Sequence, residues 1–450
     1  MSAFALRSRR VAAPDGVGPA VVVVSGAAVA SVQPYDSLPP GLPFEDLGEL
    51  AILPGIVDTH AHINEPGRTE WEGFATATRA AAAGGITTVV DMPLNSIPAT
   101  TTLAALGLKS AAAKGLCSID YGFWGGVVPG NVGELAPMAA AGALGFKCFL
   151  VPSGVDEFPH VGETDLRRAM PVLAKLGLPL LVHAELEGPA GPAGPWRRYE
   201  GYLASRPRDW EDRAVALMVR LCREMRCRVH IVHLSSSGAL ASVAEAKKEG
   251  LPFTAETCPH YLTFAAEDVA DGATPFKCAP PIRERENREK LWDALRSGLL
   301  DMVVSDHSPC TPALKDLEGG DFAKAWGGIA GLQYSLSAVW TGMKERGLGL
   351  DAVAHLMSQA PAHFAGLSGR KGGIAFGKDA DLVVFDPEAV VTPERSEVLH
   401  RHSVTPYCGM RLNGAVKSVY LRGKRIYHGG AFKDGPWGRP ANRLAAEAVR

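Results

Sequence analysis

The sequence predicts an α/β protein: a (β/α)8 TIM-like barrel with a small composite β-sandwich formed by its N- and C-terminal segments. Three observations predict this fold. Short apolar runs alternate with longer Ala/Leu/Lys/Glu/Arg stretches from about residue 50 to 370. Metal-ligand side chains stand at or near the ends of several of those runs. The flanks, 1–50 and about 373–432, consist instead of short β-like pieces separated by Gly and Pro. Alternation on this scale implies parallel strands, and eight of them fit a closed barrel of ordinary length.

The apolar runs are 53–57, 86–91, 119–124, 144–151, 179–183, 228–233, 253–256 and 302–305. Helical candidates between them include 71–83, 165–176, 210–226, 239–249 and 285–297. In the flanks, 20–24, 382–385, 416–421 and 424–427 read as strands. The expected division is 1–52 for the N-terminal part of the sandwich, 53–372 for the barrel, and 373–450 for the C-terminal part and tail. Segment 20–32 is interrupted by Ser25 and Gly26 and is too short to span a bilayer, so it reads as two strands and a turn. The Gly-Pro-Ala pattern at 188–195 covers too few residues for collagen and reads as a loop. The competing fold, an open doubly wound sheet, carries a Gly-rich phosphate loop after an early strand. Here Gly84-Gly85 precedes a strand instead of following one.

A length of 450 residues is long for one core. With 46% hydrophobic and 21% charged residues the composition is that of an ordinary globular protein. A net charge of -2 supplies no basic field for nucleic acid or an anionic membrane, so the expected partner is a small molecule. The eight cysteines are scattered with no Cys-x-x-Cys pair and read as reduced thiols. The expected compartment is the cytoplasm. Arg7, Arg9 and Arg10 leave a mitochondrial or other organellar address open, and Ala448-Val449-Arg450 is not a peroxisomal Ser-Lys-Leu signal.

The chemistry starts at His60-Ala61-His62. Residues two apart on a strand point to one side, and imidazole is the commonest metal ligand. Lys147, His183, His233 and Asp306 lie at or near the ends of other runs, where barrels of this kind place their catalytic groups. His230 precedes His233 by three residues and is expected to face the other way, as a structural residue. His307 is expected to point away from Asp306, and His355, His363, His400, His402 and His428 fall outside the barrel ends. Lys147 is the odd member, since an ammonium has no lone pair to donate. Its apolar neighbours predict burial, which lowers its pKa and frees the amine. That amine can add CO2 and become a carbamate able to bridge two cations. Two divalent ions held by mixed N/O ligands point to zinc, while manganese, cobalt or iron also fit. Such ions share a water and lower its pKa. Asp306 is then both ligand and catalytic residue, passing a proton to a leaving nitrogen. Hydrolysis of an amide-like bond is the expected reaction.

These residues resemble the amidohydrolase superfamily, in its cyclic-amide branch of dihydroorotases, hydantoinases and allantoinases. The superfamily marks are 54–62, ending in His60-Ala61-His62, with Gly145-Phe146-Lys147, Val232-His233-Leu234-Ser235, Ser305-Asp306-His307 and 372–382. Within the branch the chain is most similar to allantoinases, through 64–73, 91–96, 153–159, 256–262 and 326–333. Dihydroorotases carry an Arg at the position of Asn64 and a His near Cys310, so the departures imply an uncharged ring. Hydantoinases carry a Tyr at the position of Pro152. By resemblance, substrate contacts are expected at Asn95, Ser153, Ala279, Ser308 and Gly331. The resemblance implies a homo-oligomer, a tetramer, that opens (S)-allantoin to allantoate in purine (urate) breakdown by means of a two-metal bridging hydroxide. The alternatives are a hydantoinase or dihydropyrimidinase of broader ring scope, and a non-catalytic assembly protein on the same fold. Assembly paralogues lose metal ligands, and all six candidates are present here.

Overall fold

The computed structural model describes residues 3–191 and 194–442. Pro192 and Ala193 of the 188–195 loop, and the tail with Ala448-Val449-Arg450, lie outside the described residues. The eight barrel strands are Ile56–Ala61, Ile86–Asp91, Asp120–Phe123 with its continuation Gly125–Gly126, Phe146–Phe149, Leu180–His183, Val229–Ile231, Phe253–Thr257 and Met302–Val303. Each pairs in parallel with the next. The third strand changes direction at Trp124, whose N–H still donates to Asp91 C=O at 3.0 Å. The ring closes where Ala61 bridges His307 in parallel and the His62 N–H donates to His307 C=O at 2.7 Å.

Alternation along the strands separates two cores. Leu180, Val182, Val229 and Ile231 face outward and pack with helix residues such as Leu166, Met170, Val215 and Met218. Val90, Trp124, Leu181, Met302 and Phe364 fill the barrel interior. The helix Glu163–Leu176 shows how the outer layer forms. Its buried Leu166, Ala169, Met170 and Leu173 recur at helical spacing on one face, and it ends on Gly177 at φ 64°.

The first apolar run divides at Gly55. Ala51–Pro54 pairs antiparallel with Leu382–Val391, while Ile56–Ala61 enters the barrel. A Cβ at Gly55 would collide with the Thr87 side chain, so only glycine lets the chain pass from one sheet to the other. The terminal segments meet in one nine-stranded sheet, in which Phe4–Ala13, Gly16–Ser25 and Ala28–Pro34 share a layer with Leu412–Leu421 and Lys424–His428. Leu6, Val22, Val24, Ile52, Leu382 and Val384 form its own core. Between this sheet and the barrel, buried Lys371 meets Asp120, Asp379 and Asp381. No helix among the described residues is long and apolar enough to cross a membrane.

Candidate metal centre

The first, fourth and fifth barrel strands, and the turns that follow the sixth and eighth, bring the six expected groups together. His60 Nε2 stands 3.1 Å and His62 Nε2 3.6 Å from Asp306 Oδ1. Nitrogens of His60 and His233 and an Asp306 oxygen lie within 4.8 Å of one another. His183 Nδ1 stands 3.0 Å from His233 Nε2. His62, Lys147, His183, His233 and Asp306 line one cavity of about 350 Å³, while His60 sits fully buried behind it. Two of these groups reach the cavity through unusual backbone. His233 has φ 40° and Asp306 φ 45°, a conformation that L residues other than glycine rarely hold outside functional sites.

Lys147 is fully buried, and its Nζ finds no hydrogen-bond partner among the described residues. Burial lowers its pKa to about 8, against the opposing pull of Asp306 and Glu256. Burial also pushes His62 and His233 well below the ordinary imidazole value, so both are neutral lone-pair donors. At Asp306 burial works against the charge, but His60, His233 and His62 hold the carboxyl well below its usual range. His60 Nε2, His62 Nδ1 and His233 Nδ1 likewise lack partners. A buried polar atom without a partner is costly, and imidazole nitrogens gathered beside one carboxylate form the donor set of a divalent cation. The residues fit a metal.

Two carboxylates behind the ligands determine which ring nitrogens face the cavity. Glu256 Oε1 lies 2.5 Å from His60 Nδ1, and Glu185 Oε2 lies 2.6 Å from His183 Nε2. Burial would raise both carboxyls, yet His60 and His230 hold Glu256, and Arg206 and His183 hold Glu185, at about 2. An ionised carboxylate only accepts, so His60 Nδ1 and His183 Nε2 carry protons, and His60 Nε2 and His183 Nδ1 are the nitrogens turned toward the other donors.

Asn95, Ser153, Ala279 and Ser308 line the same cavity. Asn95 Oδ1 lacks a partner among the described residues, whereas the Ser153 hydroxyl donates to Phe158 C=O at 2.6 Å. Gly331 is not brought to the cavity; its N–H donates to His307 Nδ1 at 3.1 Å, and Gly327 and Gly328 line the wall instead. His307 packs away from Asp306 against buried His400, with ring centroids 4.8 Å apart. His230 corrects the expectation made for it. The register places Lys147, Leu181, His230 and Thr254 side by side, so His230 faces the barrel interior, where it packs on Phe364 and bonds Glu256. The strand ends at Ile231, and the left-handed turn at His233 breaks the alternation on which the expectation relied. Sequence reasoning also missed Glu185 and Arg206, and placed Trp326 in a family-like segment without assigning it to the site. Glu185 follows His183 by two residues, which is a signal of its own.

The model of the amidohydrolase family matches residues 51–426. The chain belongs to the amidohydrolase family. It is 52% identical over 443 residues, covering 97% of this chain and 98% of the relative, to an allantoinase of Streptomyces avermitilis. A mitochondrial allantoinase of Aquarana catesbeiana is 49% identical over 365 residues, 80% of this chain and 75% of the relative. Among solved structures, the L-hydantoinase (dihydropyrimidinase) of Arthrobacter aurescens superposes with a TM-score of 0.91 at 30% identity, covering 98% of this chain and all of that one. Membership in the amidohydrolase family, together with this donor set, implies a divalent metal centre at the barrel's C-terminal end.

Proposed function

We propose that this amidohydrolase is an allantoinase, opening the allantoin ring at a cyclic amide bond to give allantoate in purine breakdown. The observation that carries the reading is the convergence of His60, His62, Lys147, His183, His233 and Asp306 at one cavity, in a chain whose near-full-length relative is named allantoinase. The same groups are read as ligands of two divalent ions, zinc by ligand type. Lys147, carbamylated by CO2, would join His60, His62, His183, His233 and Asp306 in holding them. Such ions supply Lewis-acid polarisation of the amide carbonyl and a water of lowered pKa.

The chain's own residues do the rest. Asp306, facing His60 and His62, takes a proton from the attacking water on a carboxylate oxygen and delivers it to the departing ring nitrogen. The unpartnered Asn95 Oδ1 accepts a ring N–H, and Ser308 and the backbone near Ala279 complete the wall. Of the cations at the cavity, Arg206 is committed to Glu185 and Lys277 to Ala325 C=O at 2.5 Å, while Lys324 is an exposed side chain at the rim, 3.9 Å from Asp321. With Asn64 in place of a carboxylate-binding Arg, that favours an uncharged ring. The likeness to hydantoinase supports a second reading, a hydantoinase or dihydropyrimidinase of wider scope.

Turnover of allantoin, unsubstituted hydantoin and dihydrouracil by one metal-loaded preparation separates the two. Allantoin is expected to have the highest kcat/KM, and a preference for either of the other rings sinks the allantoinase reading. The protein is further read as a homo-oligomer, a tetramer, by resemblance, and from its composition as cytoplasmic, with a mitochondrial or other organellar address left open. Light scattering of the purified chain tests the assembly, and a monomer contradicts it.

A further inference from the structure

We propose that Glu256 is the positioning residue of the metal centre, setting the orientation of two metal-facing groups from different strands through one carboxylate. The inference rests on the metal-binding reading above but not on which ring is opened.

Glu256 lies on the seventh barrel strand, Phe253–Thr257, and is fully buried. Its Oε1 is 2.5 Å from His60 Nδ1 and 3.2 Å from the backbone N of His233. Its Oε2 is 2.9 Å from His230 Nε2, and His230 Nδ1 is in turn 2.8 Å from Thr254 Oγ1. The first contact fixes a ring orientation. A carboxylate accepts only, so His60 keeps a proton on Nδ1, and Nε2, 3.1 Å from Asp306 Oδ1, is the nitrogen left for a metal. The second contact fixes a backbone. The N–H it holds belongs to His233, whose φ of 40° is unfavourable for a residue with a side chain, and that turn brings the His233 ring beside those of His60 and His183. The third contact fixes Glu256 itself, because His230 and Thr254 leave the carboxylate one orientation. Strands one, six and seven are thereby tied together at the level of the ligands, by a residue that does not line the cavity and touches no substrate.

Glu256→Gln keeps the shape and an accepting oxygen but removes the charge that makes His60 a stronger donor. The variant is expected to bind Zn2+ about 10–100-fold more weakly than the wild type, the usual effect of losing such a supporting group. The measurement is competition against a fluorescent chelator, on protein whose near-UV circular dichroism shows it folded. The Co2+-substituted variant is expected to show a changed visible absorption spectrum. A purely structural role moves only the melting temperature of the metal-free protein. An unchanged Zn2+ dissociation constant with an unchanged Co2+ spectrum overturns the proposal. If Glu256→Gln does not fold, His230→Gln frees only Oε2 and is expected to weaken Zn2+ several-fold; wild-type affinity there overturns it equally. Weakened Zn2+ binding in an enzyme that proves unable to open allantoin leaves this assignment standing and removes the substrate reading alone.

Discussion

At the N-terminal end of the barrel, Lys371 places its ammonium 2.5 Å from Asp120, 2.9 Å from Asp379 and 2.7 Å from Asp381, while Arg422 reaches Asp120 and Arg370 reaches Asp379. At the C-terminal end, Lys147 is just as buried, yet its Nζ has no hydrogen-bond partner among the described residues. Burial acts against the charge of both lysines. At Lys371 the three carboxylates outweigh it and raise the pKa, whereas at Lys147 burial wins and lowers it to about 8. Each end holds a buried charged cluster, but only in the first is the lysine hydrogen-bonded to carboxylates. The first is a structural joint between barrel and terminal sheet. The second leaves nitrogens unpartnered around Asp306, with left-handed backbone at two of its members, and is complete only with a cation from solution.

The strongest way to break this contrast is to remove each lysine. Lys147→Ala is expected to lose its metals and all measurable ring-opening activity, with short carboxylic acids restoring a little of both. Metal analysis beside a turnover assay checks this, and a fully loaded, active variant breaks the contrast. Asp306→Asn keeps the shape and one oxygen ligand but takes no proton. Its kcat is expected to fall on the order of 10²–10⁴-fold, with the loss mainly in kcat and at least one metal retained. Steady-state kinetics on metal-analysed protein decide the matter; near wild-type turnover moves the proton carrier elsewhere.

Lys371→Met leaves three carboxylates without their ammonium and is expected to destabilise the fold by about 3–5 kcal/mol. Denaturant titration measures that loss, and the metal content of the folded fraction should match the wild type. Loss of metal in this variant would join two clusters that are here held to be independent. The smallest effect concerns pH. Below about 8 Lys147 is largely an ammonium and above it a free amine. At fixed dissolved CO2, the rate at which metal-free protein regains metal and activity should therefore rise with pH and level off above that value. A rate that falls as pH rises contradicts carbamylation.

The contrast also marks what the sequence makes legible. Apolar runs of a few residues locate the strands, and those with a potential ligand at or near their ends locate the six side chains that the structure brings together, because burial and strand ends both leave a local signature. The run at 53–57 misleads, since the terminal sheet and the barrel demand the same apolar residues and only Gly55 marks the crossing. His230 misleads because alternation assumes a regular strand, and a positive φ at His233 is invisible in residue order. Glu256 and Glu185 act across strands or through a partner ring, so spacing alone does not show their role. Gly331 sits in a family-like segment but serves His307, one turn of chain away from the wall formed by Gly327 and Gly328. The Lys371 cluster joins residues up to 302 positions apart, a pairing that no local pattern encodes.

The most direct test of the central claim is elemental analysis of the purified wild-type chain, paired with an allantoin ring-opening assay before and after chelation. About two divalent ions per chain are expected, with activity lost on chelation and regained when the metal and CO2 are returned together. Full activity in metal-free protein would contradict the account.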